Sequence, residues 1–235
     1  MEIPRIEAVV FDAAGTLIRP AEPVGETYAR VARAHGVAIP AWRLDDAFRR
    51  VLAAAPPMVF PGLPPEQVAG RERAWWRDLV RAVFRAADQM QRFGDFEACF
   101  AALFAHYAEP AAWRPLPGAR AALDALRGEG RRLAVASNFD GRLPRLLAGL
   151  GLDEGLEAVL LPSALGAAKP DPAFFAAVAA RLGVAPAAAA YVGDDPEQDV
   201  AAARRAGFRA IDASALATLA ALPGHLHALE DPPLR

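Results

Sequence analysis

The sequence predicts an α/β protein in which a doubly wound parallel sheet is interrupted by an all-helical insert. Three observations carry that prediction. From Pro115 onward, short apolar strands alternate with amphipathic helices. Between about residues 21 and 113 the apolar spacing is helical only. Residues able to do chemistry follow the strand segments, where parallel sheets open their ligand crevice.

Residues 6–11 (Ile-Glu-Ala-Val-Val-Phe) form a short apolar run closed by Asp12 and a turn containing Gly15, which reads as a buried strand. Helical runs are expected over 23–35, 42–55, 65–87 and 96–108, separated by Gly36, Pro56-Pro57, the proline-rich 61–65 stretch and Gly94. After Gly118, helix 119–127 leads to strand 131–136 and helix 142–150. Strand 158–161 and helix 172–182 follow, then strand 189–192, helix 196–206 and strand 208–211. A last helix is expected over 214–222, with a loose tail from Asp231 to Arg235. The expected division is a Rossmann-like core, residues 1–19 and 114–235, carrying a helical domain over 20–113.

Composition narrows the class. The chain has 235 residues, 54% hydrophobic and 23% charged, enough for a core plus a smaller satellite and too apolar for disorder. No apolar run approaches the roughly 18–20 residues that span a bilayer, and the mixed-charge N-terminus lacks a signal-peptide pattern. A formal net charge of −2 points to neither nucleic acid nor membrane. Cys99 is the only cysteine, so no internal disulfide can form. The expectation is a soluble cytoplasmic globular protein. No heptad or apolar surface stripe specifies an oligomeric state. Lys169 is the only lysine in the chain.

The polar residues after the strands form a chemical set. Asp12-Ala-Ala-Gly-Thr16 follows the first strand, Ser137-Asn138 the second, and Lys169-Pro-Asp-Pro172 the third. Gly193-Asp194-Asp195 follows the fourth, with Asp199 on the next helix. Each has an ordinary explanation as a turn or cap. Four together at one sheet edge have a chemical one. A carboxylate such as Asp12 can attack a phosphoryl group and split hydrolysis into two steps. Two anions must then meet, which calls for Mg2+ on hard oxygens such as Asp12 and Asp194. The Lys169 ammonium and the Thr16 and Ser137 hydroxyls can bind the transferring group.

These segments resemble the four motifs of the haloacid-dehalogenase-like (HAD) hydrolases. Phe11-Asp-Ala-Ala-Gly-Thr-Leu17, Ser137-Asn138, Lys169-Pro-Asp-Pro and Gly193-Asp-Asp…Asp199 carry the match. The helical insert falls where that family carries a C1-type cap. Pro23-Val-Gly-Glu-Thr-Tyr28, Arg33-Ala-His-Gly36, Trp75-Trp76 and residues 133–140 resemble the subgroup of HAD-like hydrolase domain-containing protein three. The resemblance implies Asp12 as nucleophile and metal ligand and the Ala14 carbonyl as a second ligand. It implies Asp194 as metal carboxylate, with Asp199 or Asp195 assisting, and Ser137 and Lys169 on the phosphate. Thr16 and Asn138 are expected to join that phosphate site, and Mg2+ is the expected cofactor.

The sequence departs from the family at Ala14. Family phosphatases usually place a second aspartate there, which protonates the leaving oxygen and then activates water. A positioned acid/base contributes ~10²–10⁴-fold. A phosphonatase, which shares the alanine, needs a cap lysine, and residues 21–113 hold none. A haloacid dehalogenase needs no metal, yet Asp194, Asp195 and Asp199 together repel an incoming carboxylate. A magnesium phosphatase with weakened or relocated acid/base catalysis favours good leaving groups such as acyl phosphates. Its water-activating group is sought among His35, His106, Asp88 and Asp95. A phosphate-binding protein without turnover stands as the non-enzymatic alternative. Trp75 or Trp76, with Arg71, Arg73 or Arg77, is a candidate substrate-facing set, although packing within the helices is the more ordinary use.

Overall fold

A computed structural model describes residues 5–231. The chain divides into two compact units, residues 1–19 with 115–235, and residues 20–114.

The first unit holds a five-stranded sheet, built from β1 (Ala8–Phe11) and four later strands. Two further short strands, β2 (Ile18–Pro20) and β3 (Trp113–Pro115), form a separate two-stranded sheet where the chain leaves and re-enters this unit. Sequence patterning did not predict this ribbon, because three residues are too few for a period-two signal. Beyond it come α5 (Ala119–Gly128), β4 (Arg132–Ala136), α6 (Leu143–Gly149), β5 (Leu156–Leu160), α7 (Pro162–Leu165) and α8 (Pro172–Leu182). The unit ends with β6 (Ala189–Gly193), α9 (Ala202–Arg205), β7 (Arg209–Asp212) and α10 (Leu222–Glu230). The four α-helices between β2 and β3 belong to the other unit.

The strand order is β5-β4-β1-β6-β7, every neighbour parallel. The chain therefore grows outward from central β1 in one direction and later in the other. That reversal opens a crevice beyond the carboxyl ends of β1, β4 and β6. All four β1 residues are fully buried, as a strand covered on both faces must be. One face packs Val10, Ala134, Ala136 and Tyr191 against Phe174, Phe175 and Phe208. Asp12 begins where β1 ends, its N–H donating to the Val192 carbonyl at 2.8 Å.

Two helical expectations need correction. The stretch expected as one helix over 196–206 opens with a π-type turn, in which the Asp195 carbonyl accepts from both Asp199 (3.0 Å) and Val200 (3.1 Å). The helix expected over 214–222 is absent, and α10 lies later in the chain. Asp212 caps a short turn through Ser214 (2.9 Å), and the Thr218 hydroxyl donates to the Pro117 carbonyl (2.8 Å), pinning 213–221 to other partners. Pro223 and Gly224 look like breakers but lie in the first turn of α10, where proline is tolerated. Beyond Asp231, the tail expected to be loose lies outside the described residues.

Helix α10 is clamped by one arginine. The buried Arg131 guanidinium donates to both carboxylate oxygens of Glu230 (2.8 Å each), to the Ile6 carbonyl (2.6 Å) and to Glu129 (3.0 Å). This fork lowers the Glu230 pKa from 4.5 to about 2. A depressed carboxylate pKa stabilises the fold above pH 4.5, and that contribution is lost as pH falls toward 2. Glu230→Gln should therefore cost about 3 kcal/mol at pH 7. In urea titrations the gap between wild type and variant should close below pH 4.5; a gap independent of pH would refute the clamp.

The second unit comprises α1 (Val24–Ala34), α2 (Ala41–Ala53), α3 (Pro65–Ala86) and α4 (Phe96–His106). Tyr28, Leu44, Val83, Phe84 and Phe100 build its own core. Cys99 is buried there, and desolvation pushes its thiol up to about 12, so it is an apolar filler rather than a nucleophile. Among the described residues no helix is long and apolar enough to cross a membrane.

Candidate active site

The crevice edge is built by tight turns. After β1, the Ala13 carbonyl accepts from Leu17 (2.8 Å) and Ile18 (2.9 Å), folding 13–18 into a compact loop. Gly15 has φ +101°, and a Cβ there would lie 2.3 Å from the Asp194 carboxylate. A Cβ on Gly193 would lie 2.4 Å from Cγ of Asp199. Both glycines thus let backbone approach a carboxylate, a need that only the tertiary structure exposes.

Lys169 sits among the acids. Its Nζ donates to Asp12 Oδ1 at 2.6 Å and to Asp199 Oδ1 at 2.5 Å, all three residues being buried. Burial opposes the lysine charge, but Asp12, Tyr191 and Asp199 outweigh it and hold the pKa well above the ordinary value. The structure thus brings together Asp12, Lys169, Asp194 and Asp199. The carboxylates of Asp12, Asp194 and Asp199 each offer an oxygen within 4.8 Å of the others. Desolvation, then the Asp12 charge, raises the pKa of Asp194. Desolvation likewise lifts Asp199 to about 6, against the pull of Lys169. One ammonium among three carboxylates leaves excess negative charge in a poorly hydrated place. Hard oxygens and a charge deficit are what a divalent cation fits.

The other expected residues have distinct jobs. Thr16 donates its hydroxyl to Asp194 Oδ1 at 3.1 Å. Ser137 is buried at the end of β4, its N–H on the Leu160 carbonyl at 3.2 Å. The Asn138 side chain accepts from the Lys169 N–H (2.9 Å) and donates to the Lys169 carbonyl (3.0 Å). Ala14 presents an exposed methyl and forms a bridge with Ile18. Asp195 accepts from Glu197 (2.9 Å) and Gln198 (2.8 Å), capping the π-type turn. That turn carries Asp199, whose Oδ2 accepts from the Asp195 N–H (3.1 Å).

Sequence reasoning missed Tyr191. Its buried hydroxyl donates to the Ala136 carbonyl at 2.6 Å, and its ring centroid lies 5.7 Å from Lys169 Nζ. A tyrosine inside an otherwise aliphatic strand, two residues before Gly193, was the available signal.

The candidates in the helical unit are engaged within that unit. Trp75 donates to the Pro56 carbonyl (2.9 Å) and packs edge-on against Trp76. Arg73 stacks on Phe100 and Phe104 (4.9 and 4.7 Å), and Arg71 lies over Phe60. Arg77 pairs with Asp78. Asp95 caps α4 through Ala98 (2.9 Å), Asp88 pairs with Arg43 (2.9 Å), and His35 follows the last turn of α1. Burial, with Arg30 nearby, lowers the pKa of His106.

An aspartate just past the carboxyl end of a central parallel strand, facing a lysine and two more carboxylates, is the arrangement of one class of hydrolase. The match to the haloacid dehalogenase-like hydrolase model covers residues 6–207, and the chain belongs to that family. It is 38% identical to the Mus musculus haloacid dehalogenase-like hydrolase domain-containing protein 3 over 193 residues, 81% of this chain and 74% of that protein. Among solved structures, the L-2-haloacid dehalogenase from Xanthobacter autotrophicus superposes with a TM-score of 0.64 at 25% identity, covering 97% of this chain and 85% of its own. The HAD phosphatase from Thermococcus onnurineus gives a TM-score of 0.58 at 23% identity, covering 88% and 85%.

Proposed function

We propose that this hydrolase is a magnesium-dependent phosphatase that takes a phosphoryl group from a small phosphorylated metabolite onto Asp12. The supporting observation is the charge excess around Asp12: three clustered carboxylates share one ammonium. An Mg2+ ion held by Asp12, Asp194 and the Ala14 carbonyl, with Asp199 assisting, would supply the missing positive charge. In the first step an Asp12 oxygen bonds to phosphorus as the ester oxygen departs. Water then cleaves the aspartyl phosphate, returning the carboxylate and releasing inorganic phosphate. Lys169, 2.6 Å from Asp12 Oδ1, orients that carboxylate and offsets charge on the transferring group, while the Ser137 hydroxyl at the end of β4 binds its oxygens. Ala14 brings no proton to the leaving oxygen, so substrates with weakly basic leaving groups react best.

Residues 20–113 are read as the cap domain of this hydrolase, and the cytoplasm as its compartment. The likeness to a haloacid dehalogenase supports a second reading, in which Asp12 displaces halide from carbon. The uncompensated carboxylates weigh against it, since a haloacid brings another negative charge.

Incubation with acetyl phosphate and millimolar Mg2+ separates the readings. The expected result is a phosphate-sized mass increase on Asp12 and phosphate release, both lost in EDTA. Halide release from chloroacetate without magnesium would establish the dehalogenase instead. Neither product would leave a protein that binds phosphate without turnover.

A further inference from the structure

We propose that Asn138 is a positioning residue that sets where the Lys169 ammonium stands, rather than a contact to substrate. The inference rests on the reading of Asp12 and Lys169 as the reacting pair.

Lys169 lies in the short link between Gly166, which ends α7, and Asp171, which caps α8. Such a link has no ladder or helix to satisfy its main chain, and every backbone N–H and C=O needs a partner. For Lys169 both partners are one side chain. The Asn138 amide accepts from the N–H at 2.9 Å and donates to the carbonyl at 3.0 Å, closing a two-point ring. Only a group with donor and acceptor on one plane can do this. Aspartate at 138 would keep the acceptor and set a charge against the Lys169 carbonyl. The second amide hydrogen points to Gln198 Oε1 at a longer 3.4 Å, on the turn that carries Asp199.

The position of Asn138 explains what the ring does. It stands one residue beyond Ser137, just past β4, which is bonded to β1 and β5 on its two sides. The rigid sheet edge is thereby tied to an irregular link. A lysine side chain has four rotatable bonds, so a fixed ammonium requires a fixed Cα. Here Nζ must meet Asp12 and Asp199 at once, at 2.6 and 2.5 Å. Asn138 is itself exposed, so water replaces its bonds readily and their loss moves the link without unfolding the chain.

The single lysine allows a direct test. Acetylation by sulfo-NHS-acetate marks only Lys169 and the N-terminal amine, and the latter serves as the internal rate standard. Asn138→Ala and Asn138→Asp should each raise the relative acetylation rate of Lys169 by roughly tenfold. With p-nitrophenyl phosphate and Mg2+, kcat should fall ~10²-fold with KM little changed. In a Lys169→Met background Asn138→Ala should cost nothing further. The melting temperature should move by less than about 4 °C. An unchanged acetylation rate overturns the proposal. So does a raised KM at constant kcat, which marks direct phosphate contact, or an equal loss in both backgrounds. If wild type hydrolyses no phosphate compound, the phosphatase reading fails, and the acetylation rate still decides the role of Asn138.

Discussion

Asp12→Asn should abolish the phospho-adduct and lower phosphate release by at least ~10⁴-fold. The amide is nearly isosteric, so the change tests nucleophilicity rather than packing. Its oxygen can still accept from Lys169, which also keeps Asp199 at 2.5 Å. The same substitution should not weaken the fold. Asp12, Asp194 and Asp199 carry three charges against one ammonium, and the Asp12 charge adds to desolvation in raising the pKa values of Asp194 and Asp199. Removing one anion relieves repulsion, so in EDTA the melting temperature should hold or rise. A nucleophile that strains its surroundings is the usual trade between stability and activity. The added stabilisation from millimolar Mg2+ should shrink, because one ligand is gone. Turnover within about tenfold of wild type would remove Asp12 from the chemistry.

Much of this arrangement is legible in the sequence because strand ends are punctuated. An apolar run that stops at Asp12, or at Gly193 before Asp194, announces both the strand and the residue exposed at its edge. What stayed hidden depends on partners far along the chain. The motif places Asn138 with the phosphate site, and nothing near it in the sequence shows its bonds to the Lys169 main chain, 31 positions away in an irregular link. Thr16 reads as a phosphate hydroxyl, and its bond to Asp194, 178 positions on, is equally invisible in the sequence. The π-type turn at 196–201 keeps a helical apolar pattern, so periodicity cannot reveal the extra residue that helps bring Asp199 beneath Lys169. Gly15 and Gly193 look like turn residues until the neighbouring carboxylates are placed. The β2–β3 ribbon and α10 were missed for different reasons, one too short to carry a pattern and the other opened by Pro223 and Gly224, which do not announce a helix start.

Lys169→Met tests the electrostatic half of the site. Methionine roughly matches the lysine stem, so packing is preserved and only the ammonium is lost. Asp12 and Asp199 then face each other without a cation in a buried place. Removing one partner of a buried ion pair typically costs ~3–5 kcal/mol. For a chain of this size that corresponds to a fall in melting temperature of roughly 10 °C, measured in EDTA. Magnesium should return part of it, since a divalent ion answers the same charge deficit. It should not return turnover, because an ion among the carboxylates does not replace the ammonium that orients Asp12 and offsets charge on the transferring group. Phosphate release should fall ~10³-fold or more, with the phospho-adduct forming correspondingly slowly. The two readings thus separate: stability responds to any cation in the cluster, whereas catalysis responds to this one. If magnesium restores both, Lys169 is a structural counter-ion and the catalytic role assigned to it is wrong.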